Sequence, residues 1–179
     1  MKKLSLTELN RLSTEEYKLK QKTPLIVVLD NVRSMHNIGS IFRTCDAFAV
    51  EKIYLCGITA TPPHKEINKT ALGATESVDW EYRESVLELI PELKEKDILC
   101  YIIEQTDSSR MLDDFIPPSG QKTAIILGNE VFGISDELLP VVDGALEIPQ
   151  YGTKHSLNVT IAGGIAIWEL FKKINKENI

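Results

Sequence analysis

The stretch Ile148-Pro149-Gln150-Tyr151-Gly152-Thr153-Lys154-His155-Ser156-Leu157-Asn158-Val159 places a hydroxyl and an amide where an apolar run gives way to a helical pattern. Pro149 ends the run and Gly152 turns the loop. Ser156 and Asn158 then stand just ahead of apolar residues at helical spacing that enclose Ala162-Gly163-Gly164. Side-chain oxygens at such a point have two uses. One is to cap the helix, with Ser156 as the candidate N-cap, by accepting a backbone N–H that the first turn leaves without a partner. The other is to complete a polar ligand site at the carboxyl end of a buried strand, where open α/β sheets bind their ligands. Capping accounts for Ser156 but not for the Pro-x-x-Gly loop or the glycine pair.

Two other segments have the same form. Asn31-Val32-Arg33-Ser34-Met35-His36-Asn37-Ile38-Gly39-Ser40-Ile41-Phe42-Arg43-Thr44 follows one apolar run, and Leu127-Gly128-Asn129-Glu130-Val131-Phe132-Gly133-Ile134-Ser135 follows another. The second comes close to a phosphate-binding loop, because two glycines flank four residues ahead of a helix. Ile134 occupies the place that needs a lysine for the β and γ phosphates, so triphosphate chemistry lacks its cation. No Gly-x-Gly-x-x-Gly follows a strand either. His36, His64 and His155 have neither Cys-x-x-Cys partners nor His-x-x-x-His spacing, so no metal site is expected.

The elements that must hold these segments alternate. Leu25-Ile26-Val27-Val28-Leu29 is a continuous β-branched run, as for a parallel strand covered on both faces. Ile38, Ile41, Phe42 and Cys45 fall at helical spacing, with Arg43 between them. Strands are then expected over Lys52 to Cys56, Ile98 to Ile103, Ala124 to Leu127 and Ala145 to Ile148. Helices are expected over Val86 to Leu93, interrupted or kinked at Pro91, from Ser135 through Leu139, and over Leu157 to Ile174. Thr59 to Asp79, with Pro62-Pro63 and Gly73, reads as an irregular surface excursion. The pattern predicts an α/β fold, a mainly parallel sheet with helices on both faces, whose strand ends carry all three segments.

The chain has 179 residues, 43% of them hydrophobic, enough for one well-buried domain. We divide it into a basic helical extension over residues 1–22 and a domain over residues 23–179. Ser5-x-x-Glu8 and Ser13-x-x-Glu16 are capping-box patterns that give the extension one or two short helices. It holds six basic side chains against three acidic ones, although the chain's net charge is -6. Between Glu76 and Asp114 twelve carboxylates face four basic residues. That asymmetry describes an acidic solvated side and a basic arm able to meet a polyanion. Cys45, Cys56 and Cys100 read as buried reduced thiols. Without a signal peptide or an apolar run of spanning length, a soluble cytoplasmic protein with no membrane partner is expected.

In order and spacing the three segments resemble the signature motifs of the SpoU/TrmH branch of the SPOUT RNA methyltransferases, over about Pro24 to Leu170. The resemblance implies a 2'-O-ribose methyltransferase of tRNA or rRNA that uses S-adenosylmethionine and forms a homodimer. It also implies a SPOUT fold with a C-terminal trefoil knot from about Ile125 onward, which no periodicity could have revealed because threaded chains are so rare. A base methyltransferase of the same superfamily and a catalytically idle RNA-binding or assembly module are the alternatives. An idle module has no need of Asn37, Arg43, Glu130, Ser156 and Asn158 together.

By the same resemblance Leu127, Gly128, Ile148, Gln150, Ser156 and Leu157 would surround the cofactor, mainly through backbone groups and apolar contact. The catalytic set would be Arg43, Asn37, Glu130, Ser156 and Asn158. Arg33, Arg43, Lys65, Lys69 and Lys154 would meet RNA. In similar enzymes the arginine at position 43 is assigned as the base for the 2'-hydroxyl proton. A guanidinium pKa above about 12 leaves almost none of it neutral near pH 7, so phosphate and ribose positioning suits it better, with Ser156 or water accepting the proton late. Asn37 would hold the loop, with helix capping as its plain alternative. Gln150 stands where methionine is common, Gly163 where alanine is, and Ala49 where glycine is. Close approach of another backbone is expected to compensate for the cost of Gly163 and Gly164 within a helix. Trp168, Leu170 and Phe171 extend an apolar stripe suited to core or subunit interface.

Overall fold

A computed structural model of the chain describes residues 1–5 and 7–175; the last four residues of the expected 23–179 domain lie outside them. Seven strands form one sheet: β1 (Thr23–Asp30), β2 (Val50–Cys56), β3 (Trp80–Arg83), β4 (Ile98–Ile103), β5 (Arg110–Met111), β6 (Lys122–Leu127) and β7 (Gly144–Glu147). Their order is β3-β2-β1-β6-β4-β7-β5, and every neighbouring pair runs parallel. The helices are α1 (Thr14–Leu19), α2 (Met35–Ala47), α3 (Lys65–Ala71), α4 (Ala74–Ser77), α5 (Val86–Glu95) and α6 (Val159–Ile174).

The unbroken apolar run in β1 is explained by what lies above and below it. Leu25, Val27 and Leu29 pack with Ile38, Ile41 and Phe42 of α2, Ile67 of α3, and Ala166, Ile167 and Leu170 of α6. Ile26 and Val28 point the other way, to Leu89, Ile90 and Leu93 of α5 and to Leu138 in a 3-10 turn at Asp136–Leu138. A strand's side chains alternate between faces, so only a sheet covered on both sides tolerates consecutive apolar residues. The three cysteines are buried and free, and burial pushes the thiols of Cys56 and Cys100 up to about 12.

Some expected elements take another form. Thr59 to Asp79 is not an irregular excursion, since it contains α3 and α4, and Ile67, Ala71 and Ala74 are buried in the core against α2. Helix α5 continues through Pro91 to Glu95. Ser13 and Glu16 form a true capping box, whereas the Ser5–Glu8 bonds precede only a 3-10 turn at Thr7–Leu9. Gly163 is approached by a side chain, not a backbone: an added Cβ would stand 2.8 Å from Cδ1 of Leu127. Gly164 faces open space.

The basic extension does not hang free along its whole length. Tyr17 of α1 is buried in the same core cluster as α2 and α4, and the Lys22 ammonium sits 3.3 Å from its ring centroid while donating to the Tyr17 carbonyl. At the other end of the chain, Lys173 of α6 donates to the carbonyls of Leu112, Asp113 and Phe115 at 2.7, 2.7 and 2.8 Å, which ties the connection between β5 and β6 to the last helix. Hydrogen bonds to a charged group contribute about 1.5–3 kcal/mol each, and carbonyls left unpaired add a desolvation cost. Lys173→Met should therefore lower the unfolding free energy by at least about 2 kcal/mol, read from the urea midpoint at unchanged m-value, whereas Lys172→Met, which removes a partly exposed ion pair with Glu169 and a contact with the Trp168 ring, should change it by less than about 1 kcal/mol.

Candidate functional site

One cavity of about 470 Å³ opens at the carboxyl ends of β4, β6 and β7. Its wall contains Leu127, Gly128, Ile148, Gln150, Ser156 and Leu157, all six residues named above for the cofactor, together with Glu130 and Asn158. Ile103, Leu127, Ile148, Leu157, Val159 and Ala162 give it an apolar side. Glu104 and Glu130 are its carboxylates, and neither lysine nor arginine lines it among the described residues. A site for a polyphosphate would need the opposite charge.

Gly128 and Gly133 shape the cavity's roof. Asn129 and Gly133 exchange backbone hydrogen bonds at 3.0 and 2.9 Å, closing a tight loop. A Cβ on Gly128 would stand 2.4 Å from the Gly133 carbonyl oxygen, and Gly133 has φ +67°, so both positions require glycine. The Asn129 side chain works in two directions: its Oδ1 accepts the N–H groups of Val131 and Phe132, and its Nδ2 donates to the Asn31 carbonyl at 2.8 Å. Asn31 itself is held at φ 55° and accepts the Ile58 N–H.

The bond network centred on Glu130 joins all three sequence segments. Glu130 Oε2 accepts the N–H of Arg33, and Oε1 accepts both the N–H of Ser34 and the Asn37 side-chain amide, at 3.0, 3.0 and 2.9 Å. Asn158 Nδ2 in turn faces Asn37 Oδ1 at 3.5 Å. Burial works against the Glu130 charge, but the N–H of Arg33, the Asn37 amide and the N–H of Ser34 outweigh it and hold the carboxyl below the usual carboxylate range. The helix caps also fall elsewhere than the plain readings had them. Ser34 caps α2, so Asn37 is released for Glu130, and Asn158, not Ser156, caps α6 by accepting the Thr160 N–H at 2.9 Å.

The remaining residues are not gathered in. Arg43 is exposed on α2 and lines no part of the cavity, and its side chain has no hydrogen bond or ion pair among the described residues. Six residues on from Asn37 is about 9 Å along the axis and about 120° away around it, so the two side chains leave different faces of the helix. Arg33 lines a neighbouring depression with Asp30, Ile58 and Phe132. Lys65 and Lys69 are exposed on α3, with Lys69 paired to Glu66 at 2.7 Å, and Lys154 lies on the exposed loop before α6. Glu104, Gln105 and His155 were missed in the sequence although all three line the cavity; Gln105 Nε2 donates to the His155 carbonyl at 3.2 Å. Their signal was position: Glu104 and Gln105 directly follow an apolar strand. Among the described residues no cluster of three or more His, Cys, Asp or Glu could hold a metal, and no helix is long and apolar enough to cross a membrane.

The geometry has counterparts. The model of the SpoU rRNA Methylase family matches residues 24–168. A tRNA (guanosine(18)-2'-O)-methyltransferase of Thermus thermophilus is 32% identical over 165 residues, covering 91% of this chain and 82% of that protein. Among solved structures, a TrmH/SpoU tRNA modifying enzyme of A. aeolicus superposes with a TM-score of 0.79 at 28% identity, over 92% of this chain and 81% of that one. An AdoMet-bound rRNA methyltransferase of Sinorhizobium meliloti gives a TM-score of 0.78 at 26% identity, over 89% and 58%.

The depressed Glu130 pKa fixes the sign of a pH effect. Its contribution to stability is complete above the unfolded-state value of about 4.3 and is lost as pH falls through the lower folded value. Glu130→Gln should cost stability at pH 7 and progressively less toward pH 3, so that the difference in unfolding free energy between wild type and variant narrows on acidification. A difference independent of pH would show that the carboxylate's charge does not hold the start of α2.

Proposed function

The chain belongs to the SpoU rRNA methylase family, and from that premise we infer that it transfers a methyl group from S-adenosylmethionine to the 2'-hydroxyl of a ribose in tRNA or rRNA. One observation carries the reading: three segments, with Asn37 and Asn158 121 residues apart, are joined through the side chains of Glu130, Asn37 and Asn158, and two of those residues, Glu130 and Asn158, line a single cavity. The T. thermophilus relative acts on a guanosine 2'-hydroxyl of tRNA and the S. meliloti neighbour binds AdoMet, as their names state.

The residues present fit that cofactor. An apolar side can cover an adenine, the glycine at 128 lets backbone come close, and carboxylates without cations suit a molecule whose sulfonium and ammonium outnumber its single carboxylate. When bound, S-adenosylmethionine supplies a methyl group already activated toward attack by an oxygen nucleophile. Leu127, Gly128, Ile148, Gln150, Ser156 and Leu157 hold it. Glu130 fixes the start of α2, and Asn37 and Asn158 keep the motif loops in register, so positioning supplies most of the rate. As transfer completes the 2'-hydroxyl proton would pass to solvent water, directly or with Ser156, exposed at the cavity wall, accepting it while handing its own hydroxyl proton to water.

Arg43 grips the phosphate next to the target ribose with its planar fork. Because it lies outside its own chain's cavity, it serves the cavity of a second copy in a homodimer. Ile161, Ile165 and Trp168 support that assembly. They are 54%, 39% and 44% exposed along one side of α6, with Gly164 among them leaving room for close contact. Arg33, Lys65, Lys69 and Lys154 extend the RNA surface, together with Lys3, Arg11, Lys18 and Lys20 of the extension, which form no ion pair among the described residues.

Incubation with tritiated S-adenosylmethionine and bulk tRNA or rRNA, followed by nucleoside analysis, should place label in 2'-O-methylribose; label on a base would select the other chemistry, and none at all with bound cofactor would make the chain an idle module. Arg43→Ala and Arg43→Lys should each lower transfer by about a hundredfold or more, with cofactor affinity unchanged within a few fold. Substantial turnover by the lysine variant would mean that charge alone matters there. Light scattering at micromolar concentration should give twice the chain mass, and Trp168→Glu should convert the protein to a monomer without activity.

A further inference from the structure

Of the two carboxylates that line the cavity, Glu130 is committed to the start of α2, and Glu104 has no such duty. Glu104 directly follows β4 and is half-buried. Its Oε1 accepts the N–H of Gln105 at 3.0 Å and its Oε2 accepts the N–H of Ile134 at 3.4 Å. Backbone donors therefore orient the carboxylate. Each carboxylate oxygen has two lone pairs, so one on each remains available to the cavity. The loop makes room for it as well: a Cβ at Gly133 would stand 2.7 Å from Oε2.

A rigid group that presents two adjacent acceptors calls for two adjacent donors, as on a vicinal diol. Position points to the same ligand part. Ile103, the chain neighbour of Glu104, belongs to the apolar side with Leu127, Ile148, Leu157 and Ala162, which suits a flat base; the sugar attached to that base comes next. A sulfonium offers no hydrogen to these lone pairs. Resting on the cofactor reading above, we propose that Glu104 accepts hydrogen bonds from the ribose 2'- and 3'-hydroxyls of the adenosyl group, and so selects a ribonucleoside cofactor.

Calorimetry on the wild-type protein with S-adenosylhomocysteine and its 2'-deoxy and 3'-deoxy counterparts tests this without any variant. Loss of either hydroxyl should weaken binding about tenfold, as for a hydrogen bond to a charged group. Glu104→Gln should weaken S-adenosylmethionine and S-adenosylhomocysteine alike, by about tenfold, and should discriminate less against the deoxy ligands. Deoxy ligands that bind wild type as well as the parent overturn the inference, as does a Glu104→Gln loss of the same size with every ligand. A loss confined to S-adenosylmethionine would move Glu104 to the sulfonium charge and overturn it too. Wild type that binds neither parent compound defeats the cofactor reading itself, whereas binding without dependence on the hydroxyls defeats only the role of Glu104.

Discussion

Everything at the cavity depends on one carboxylate meeting one helix start. The start of α2 and the chain leading into it present N–H groups without helical partners, and in the described structure some are met from two sides: Ser34 serves the N–H of Asn37 in the first turn, and Glu130, almost a hundred residues later, serves those of the N-cap Ser34 and of Arg33 before it. A negative group is favourable there by the helix dipole as well. The bond is long-range in sequence, so it forms only when β1 and β6 lie side by side, as their register from Leu25 with Thr123 to Leu29 with Leu127 makes them. The pairing of two central strands thus fixes the site, and the site's own hydrogen bonds fix the pairing of their loops.

That arrangement makes glycine and asparagine structural reagents. The loop from Gly128 to Gly133 folds back on itself within a space that a single Cβ would fill. Asn129 then directs its side-chain hydrogen bonds to backbone, accepting two N–H groups of its own loop and donating to one carbonyl of the other. Backbone held in this way leaves its remaining groups aimed at the cavity, and recognition by backbone tolerates changes of side chain. Gln150 lines the wall beside Ile148 and Leu157.

The sheet and the three segments were legible because their signals are strong and local: β-branched runs buried on both faces, and glycines where chain must turn. What escaped was set by neighbours. Helices α3 and α4 are only seven and four residues long and largely polar, so their sole sequence trace was Ile67 and Ala71 one turn apart. The cap of α6 was read two residues early, since Ser156 and Asn158 are equally good caps by type and only the fold decides that Asn158 accepts from Thr160. Glu104 went unnoticed because it lies in no motif; its significance comes from β4 standing beside β6 and β7. Arg43 shows the opposite limit. Its residue type is plain in the sequence, but its distance from the cavity of its own chain is a fact of helix phase.

Net charge misleads about nucleic acid for a related reason, because what matters is which cations are already engaged. On the acidic side Arg83 pairs with Glu81 and Glu92 and Lys94 with Asp143, and Lys52 of β2 joins Glu81, while Lys96 and Arg110 form no ion pair among the described residues. Near the motif loops Arg33, Arg43, Lys65 and Lys154 have no ion pair among the described residues, and in the extension Lys3, Arg11, Lys18 and Lys20 have none. A phosphate that approaches these side chains need not displace a carboxylate first. Counterion release then contributes in full at those positions, while the carboxylates elsewhere repel RNA from surfaces where it would bind unproductively. A chain of net charge -6 can in this way still offer a polyanion unengaged cations.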